Sequence, residues 1–334
     1  MTASPDTADR LGPDELRMLA DTVAKVLSET APAGRLDRLA ELGWFELWTA
    51  QPEAAAGALF GQQGRLATSS PALAVLLGSA LAPPASGSAS DAPAALLPWL
   101  GQGWVTRTGD GRLPALAFAD TCTGQLVAPV VVDGVKQVVT LAGSALSVRR
   151  IDGLDPELGL AEVDLSGAIG SAEPRLSGAA AEATWRDALA LGRRLLAEEL
   201  VAVVREQQRL AVEHALSRQQ FGRPIGAFQA VKHKLAEVHV ALVSAELAVE
   251  QAWADPEPAA ATLAKLLAGN AVALANQHCQ QVLGGIGFTW EHRFHFYVRR
   301  GRMLAALLGS SAELAAELGT GILKSGTLPV LAEL

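Results

Sequence analysis

The spacing of apolar residues divides the chain into three textures. In the first, "GPDELRMLADTVAKVLSE" sets Leu16, Leu19, Val23 and Val26 at helical intervals behind Pro13, a residue favoured at a helix start. "GRLDRLAELGWFELW" continues in the same style and places Trp44 and Trp48 one turn apart, as core or a domain contact. "PALAVLLGSALAPPA" (71–85) is apolar all round, ends in prolines and is too short to span a bilayer, which predicts a buried helix. "ASGSASDAP" (85–93) reads as a polar connection. The second texture is short and β-branched: "WVTRTGDGRLPALAFAD", "GQLVAPVVVDGVKQVVTLA" and "LAEVDLSGA", with Asp-Gly turns at 110–111, 133–134 and 152–153. The third is helical again. Leu196, Leu200, Val203 and Leu210 form one stripe, and Phe228, Val231, Leu235, Val238, Leu242 and Ala245 a second. Leu263, Leu267, Leu274 and Gln281 form a third, and Ser310 with Glu313 has capping-box spacing ahead of a last helix. The expected architecture is mainly α with a small β domain. It comprises an N-terminal helical domain (1–101), a shortened β domain (102–172) and a C-terminal helical bundle (173–334). There is no internal repeat and no long heptad run.

Composition narrows the function classes. Lys and Arg number 27 against 35 Asp and Glu, a formal charge of −8, which argues against a general nucleic-acid binder. Half the residues are hydrophobic and 19% charged, a globular balance. Cys122 and Cys279 form no CxxC pair or disulfide framework, so a reducing cytoplasm is the expected location. "MTASPDTADRLGPDEL" lacks the basic and apolar regions of a signal peptide, and no membrane insertion is expected.

Against that acidic background, "SRQQFGRPIGAFQAVKHKLAE" (217–237) gathers Arg218, Arg223, Lys232 and Lys234 around a helix start near Ala227. Free N–H groups there favour an anion, and Arg218 adds a charged fork suited to phosphate. Phe221 can cover a flat ring, and Gln229 offers both donor and acceptor. From spacing alone, the same residues make a capped turn with solvated basic side chains. A second stretch, "QQVLGGIGFTWEHRFHFYVRRGRMLAALLGSSAEL", sets Gly284, Gly285 and Gly287 after an apolar helix, where close backbone approach or a left-handed helix end is possible. Arg299, Arg300 and Arg302 follow. Glu291, His292 and His295 read as a polar turn rather than a metal site, having no third ligand in view. Cys279 reads as core, and Trp290 and Tyr297 as residues of a subunit contact.

The order of these two stretches resembles the acyl-CoA dehydrogenase family. The resemblance rests on "RQQFGRPIGAFQAVKHKLAE", then "QVLGGIGFT", an arginine and "GS" at a helix start. It is strong over about 183–325 and one of layout before that, and it implies a C-terminal four-helix bundle. It also implies oxidation of the Cα–Cβ bond of an acyl-CoA thioester. A glutamate takes the α-proton, the β-hydrogen leaves as hydride to FAD, and an electron-transfer flavoprotein reoxidises the flavin. Arg218, Gln220, Phe221, Ile225, Phe228 and Gln229 fall on one FAD-binding motif, and Gln281, Gly284 and Gly285 on the other. Both motifs serve the pyrophosphate and adenosine end of an FAD whose flavin sits in the neighbouring subunit.

The departures are as informative. The usual place of the glutamate reads Leu308, before Gly309 and Ser310, and its alternative place reads Gly192, before Arg193. Neither side chain takes a proton. No "TEPxxGSD"-like stretch occurs between 100 and 130, and the flavin-covering tryptophan reads Val138, with Thr140 at the threonine position. No catalytic residue is therefore assigned. The pattern is similar to the short, degenerate subunit of α2β2 acyl-CoA dehydrogenases from actinobacteria. In these, a homologous catalytic subunit supplies the flavin pocket and base, and room is made for a bulky acyl group such as a steroid-derived CoA ester. Two alternatives stay open: a homo-oligomeric enzyme with a base relocated to Glu198, Glu291 or Asp187, each otherwise a solvated helix charge, and a flavin-free structural protein on the same fold.

Overall fold

The computed structural model describes residues 11–87 and 89–326; most of the N-terminal stretch examined for a signal peptide lies outside them. Five helices come first: α1 (Pro13–Glu29), α2 (Arg35–Glu41), α3 (Trp44–Ala50), α4 (Pro52–Leu66) and α5 (Ala72–Leu81). Pro13 and Pro52 each take the first helical position, where the missing N–H leaves no bond unmade. The α1 stripe turns inward only in its C-terminal half: Val23, Val26 and Leu27 are buried while Leu16 is exposed. Helix α5 is buried almost all round, as the sequence predicts.

The strands run from Ala94 to Ser177 and form two four-stranded sheets. One has the order β1 (Ala94–Ala95), β4 (Gln125–Val132), β5 (Val135–Ala142), β8 (Glu173–Ser177). The other has the order β2 (Leu97–Pro98), β3 (Pro114–Phe118), β7 (Leu160–Asp164), β6 (Val148–Arg150). Among the described strands β1 and β4 pair in parallel and the other neighbours antiparallel, with an isolated parallel bridge between Val105 and Val130. The β4–β5 hairpin turns at Asp133-Gly134, with φ of 49° and 78°, the doubly left-handed turn the dipeptide predicts. Asp110-Gly111 also turns, with the Gly111 N–H donating to Thr108 O at 2.9 Å. Asp152-Gly153 does not make a tight hairpin. It lies in a longer connection between β6 and β7, where Pro156–Leu158 form a single helical turn.

The described residues after Ser177 are mainly helical: α6 (Ala179–Ser217), α7 (Gln229–Ala254), α8 (Pro258–Leu283), α9 (Phe294–Ala306) and α10 (Ser311–Ser325). A two-stranded turn, β9 (Gln219–Gln220) with β10 (Arg223–Pro224), links α6 to α7. The chain is mainly α with a small β region, in the predicted order of helices, strands and bundle. Leu196, Leu200 and Val203 of α6 and Val238, Leu242 and Ala245 of α7 are buried as expected. On α8 the expectation fails. Leu263, Leu267 and Leu274 are only half-buried and Gln281 is exposed, whereas Ala261, Ala264, Ala268, Ala271, Ala275 and Cys279 fill the core. Closely approaching helices take small residues between them, and periodicity cannot tell which of two apolar faces turns inward. The 31-residue segment Pro258–Phe288 is long and apolar enough to cross a membrane by length and composition, but here its small-residue face packs inside the bundle.

Helices α4 and α6 approach so closely that a Cβ on Gly64 would lie 2.4 Å from Glu199 O. Beside this contact the fully buried Arg300 of α9 ties the three regions together. Its Nε meets Asp155 at 2.5 Å and its Nη1 meets Glu199 at 3.1 Å, and Nη1 also donates to Thr68 O. Gln63 donates to Glu199 at 3.1 Å, satisfying the second carboxylate oxygen.

Candidate functional site

Leu308 and Gly192 lie far apart in sequence and meet in space. A Cβ on Gly192 would stand 2.5 Å from Leu308 Cδ1 and 3.1 Å from Leu77 Cδ2. The volume a side chain at 192 would need is thus occupied by two leucines. Leu308 sits at φ 56° and Gly309 at φ 113°, so the turn between α9 and α10 is left-handed at two successive residues. Two buried cations hold it. Arg193 Nε donates to Leu308 O at 3.1 Å, its Nη1 to Thr262 at 2.8 Å, and its two Nη groups to Glu317 at 2.7 and 2.8 Å. Lys265 Nζ donates to Gly309 O at 2.6 Å and Ala305 O at 3.1 Å, and burial lowers its pKa to about 7. The capping box forms as predicted, with Ser310 N donating to Glu313 at 2.8 Å. The cleft beside this turn, lined by Trp99, Gln102, Trp185, Arg193, Leu308 and Glu317, has a volume of about 160 Å³. Small-molecule sites ordinarily span roughly 300–1,000 Å³.

None of the three candidate relocated bases lines that cleft. Glu198 is not a solvated helix charge: it is half-buried and accepts from Trp253 Nε1 at 2.9 Å, and desolvation pushes its carboxyl up to about 7. Trp253 stands edge-on to Trp48, which stacks on the buried Trp44, so the two tryptophans one turn apart do form core and domain contact. Asp187 is exposed and pairs with Arg186 at 3.2 Å; Glu291 is exposed. Among the described residues no cluster of His, Cys, Asp or Glu is arranged to hold a metal. His292 instead accepts from Phe294 N at 3.2 Å at the start of α9. Cys279 is core, its thiol pushed up to about 12 by burial. Tyr297 is not at the surface: it is buried and donates to Arg65 O at 2.8 Å.

The residues of the two glycine-containing motifs form an open surface at one end of the bundle. Arg218 is exposed at the C-cap of α6, and among the described residues no carboxylate pairs with it. Its carbonyl accepts from Ile225 N at 2.8 Å, which closes the turn. Gln220 pairs with Arg223 across β9 and β10. Between them Phe221, at φ 50°, is 91% exposed. Phe221 meets Phe228 edge-on at 6.1 Å, and the Arg223 guanidinium lies 4.2 Å from the Phe228 ring centre. Ile225 is half-buried in a single helical turn, and α7 begins at Gln229, two residues later than the sequence suggests.

Helices α7 and α8 are joined by a three-residue connection and run antiparallel, pinned where His278 Nε2 lies 3.4 Å from Glu237. The end of α8 therefore returns to the start of α7. There Gln281, Gly284 and Gly285 are exposed, and Gly284 holds φ 61° with open space where a Cβ would be. Burial, Arg218 and then His292 lower the pKa of His214 near the end of α6. The 218–229 residues lie on the turn between α6 and α7, exposed or half-buried and positively charged at Arg218 and Arg223, and Gln281, Gly284 and Gly285 are exposed at the end of α8. In the sheets, Val138 and Thr140 are buried, so neither presents an open surface to a flat ring. Sequence reasoning missed Arg223 as the partner of Phe228, and Arg193 and Lys265 as the clamp on the 308–310 turn. Lys265 is the one of the three with a signal, since it shares the helical face of Ala261 and Ala268.

Residues 183–322 match the acyl-CoA dehydrogenase C-terminal domain. Acyl-CoA dehydrogenase IpdE2 of Mycobacterium tuberculosis is 40% identical over 131 residues, 39% of this chain and 41% of that protein. Acyl-CoA dehydrogenase FadE34 of the same organism is 42% identical over 124 residues, 35% of this chain and 17% of that protein. These matches span about two fifths or less of the relatives' length. The whole fold is matched by the ChsE4-ChsE5 complex from Mycobacterium tuberculosis, with a TM-score of 0.70, 20% identity, and 96% of this chain and 99% of that one covered. An acyl-CoA dehydrogenase from Bacillus anthracis complexed with FAD matches with a TM-score of 0.74 at 14% identity, covering 96% of this chain and 68% of that one. Residues 183–322 thus match the C-terminal domain of acyl-CoA dehydrogenases, and the described chain has the fold of the solved proteins named above.

Proposed function

We propose that this chain is the non-catalytic subunit of a heteromeric, FAD-dependent acyl-CoA dehydrogenase of the cytoplasm. A homologous partner supplies the catalytic glutamate and the flavin pocket in an α2β2 assembly, and an electron-transfer flavoprotein takes the electrons. The observation that carries this reading is the contact of Leu308 with Gly192, which leaves no carboxylate at either expected base position and fills with leucine methyl groups the space a side chain at 192 would take. The 160 Å³ cleft beside it and the buried Val138 and Thr140 point the same way.

FAD bound across the subunit interface would supply the hydride acceptor. On this chain, Arg218 would meet its pyrophosphate, Phe221 and Phe228 would cover its adenosine end, and Gln220, Ile225, Gln229, Gln281, Gly284 and Gly285 would line the approach. An exposed Phe221 and an unpaired Arg218 are what a half-site looks like before its other half is added. Helix α7 also carries a second apolar stripe, Ala236, Val240, Val243 and Leu247, on which a partner helix could lie. Two fold neighbours support the partnership and the substrate class: the ChsE4-ChsE5 complex, and Tcur3481-Tcur3483, named a steroid acyl-CoA dehydrogenase. A bulky, steroid-type acyl-CoA is accordingly the proposed substrate of the assembly.

The test is Arg218→Ala in the chain co-expressed with its homologous partner. An arginine–phosphate contact contributes about 1.5–3 kcal/mol, so FAD should bind roughly 10–100-fold more weakly to an assembly that still forms. Unaltered flavin affinity would sink the proposed contact and favour the flavin-free reading.

A further inference from the structure

The cleft beside the 308–310 turn holds a polar atom that the fold leaves unanswered. Gln102 Oε1 is buried there with no hydrogen-bond partner among the described residues. A buried acceptor without a donor is costly, so its neighbours show what donor would suit it. The Gln102 backbone is fixed, its N–H donating to Trp99 O at 2.9 Å. Glu313 also lines the cleft. Its Oε2 accepts from Ser310 N and Oγ, both at 2.8 Å, and no donor among the described residues reaches Oε1. That oxygen lies 3.3 Å from where a Cβ on Gly101 would stand, beside the neighbour of Gln102. The Ser310 hydrogen bonds hold the Glu313 carboxyl below its ordinary value, so it is ionised at neutral pH.

The other charges of the cleft are already engaged. Arg193 gives four hydrogen bonds, to Leu308 O, Thr262 and both oxygens of Glu317. Lys265 is turned to the carbonyls of Ala305 and Gly309. Two acceptors, Gln102 Oε1 and Glu313 Oε1, are left open, and Trp99 and Trp185 supply aromatic wall. The Trp185 ring is held in place, its Nε1 donating to Gly103 O at 2.7 Å. A water molecule would answer one orphan acceptor. Two acceptors beside two indole rings suit a donor that is cationic and carries a short apolar body. We propose that this cleft binds the primary ammonium group of a small alkylamine, which donates to Gln102 Oε1 and Glu313 Oε1 against the Trp99 and Trp185 rings. The volume of about 160 Å³ limits the ligand to a short chain. An acyl-CoA thioester is far larger, and its phosphates would be repelled by Glu313. The proposal goes beyond the non-catalytic subunit reading and does not involve the flavin contacts, so either can fail while the other survives.

The experiment is calorimetric titration of the full chain, alone and in the co-expressed assembly, with n-propylammonium chloride, sodium propionate and 1-propanol at constant ionic strength. Propylammonium should bind once per copy of this chain with a dissociation constant of about 0.1–10 mM, the range open to a ligand of four non-hydrogen atoms. Propionate and propanol should bind at least ~10-fold more weakly, since one brings the wrong charge and the other no charge. This comparison needs no variant. Gln102→Leu and Glu313→Gln should each weaken propylammonium by roughly 10-fold, and glutamine at 313 still completes the helix cap. Circular dichroism checks that both variants stay helical. Both substitutions lie in this chain, so amine sites on the partner would be unaffected, and the flavin content of the assembly is read separately. No saturable binding of propylammonium in that range, equal binding of propionate or propanol, or wild-type affinity in both variants would each overturn the proposal.

Discussion

Glu198 is where a base would be sought by pKa alone, since a carboxyl near pH 7 is well poised for proton transfer. The structure gives it a different role, and Glu198→Gln separates the two. The carboxyl rises from 4.5 to about 7 because burial removes it from water, with repulsion from Glu53 added, and this outweighs the lowering by the Trp253 hydrogen bond and Arg205. A group raised in the folded state supports the fold fully below its unfolded pKa. That support is lost as pH climbs through the folded value, here between 4.5 and about 7. The shift from 4.5 to about 7, at about 1.36 kcal/mol per pH unit, sets a ceiling of about 3 kcal/mol on the loss. Glutamine keeps an acceptor for Trp253 Nε1 and carries no charge. Urea denaturation of both proteins from pH 4.5 to 8.5 should show equal stability at the acid end. Above pH 7 the variant should be more stable by ~1–3 kcal/mol, and the activity of the co-expressed assembly should not change. Parallel stability profiles would refute the desolvation argument. Loss of turnover in the stabilised variant would instead make Glu198 a base and revive the homo-oligomeric enzyme.

Arg300→Met should cost about 3–5 kcal/mol by thermal or chemical denaturation, because Asp155 and Glu199 would remain buried without their cation. Gly64→Ala should destabilise by about 2–3 kcal/mol despite better helix propensity, since its Cβ would press on the Glu199 carbonyl of α6 rather than on a movable side chain. If either variant melts with wild-type protein, the packing of α4, α6 and α9 is not as tight as described.

How far the sequence could be read varied by element. The fully apolar α5, the Asp133-Gly134 hairpin and the Ser310–Glu313 cap were legible because each is decided by neighbouring residues. The α8 stripe misled because that helix has two apolar faces, and which of them is core depends on α6 and α7. At the candidate site, the motif residues of the 218–229 and 281–285 stretches could be named from order and spacing. Their openness could not, because Phe221 in a left-handed turn and Phe221 in a core are the same letter. The meeting of Leu308 with Gly192 was also out of reach: each departs from the expected base separately, and only the fold shows that they fill one space. Glu198 and Lys265 were misread or unseen because local pattern reports charge, not the solvent around it.

The most direct measurement is the visible absorption spectrum of this chain, purified alone and then co-expressed with the homologous chain of its neighbouring gene. A flavin band in the co-expressed assembly and none in the lone chain is the result predicted for an FAD held across unlike subunits. A stoichiometric flavin band in the lone chain would contradict the account, since that chain would then build for itself the pocket that Leu308, Gly192 and the buried Val138 and Thr140 are held here to close.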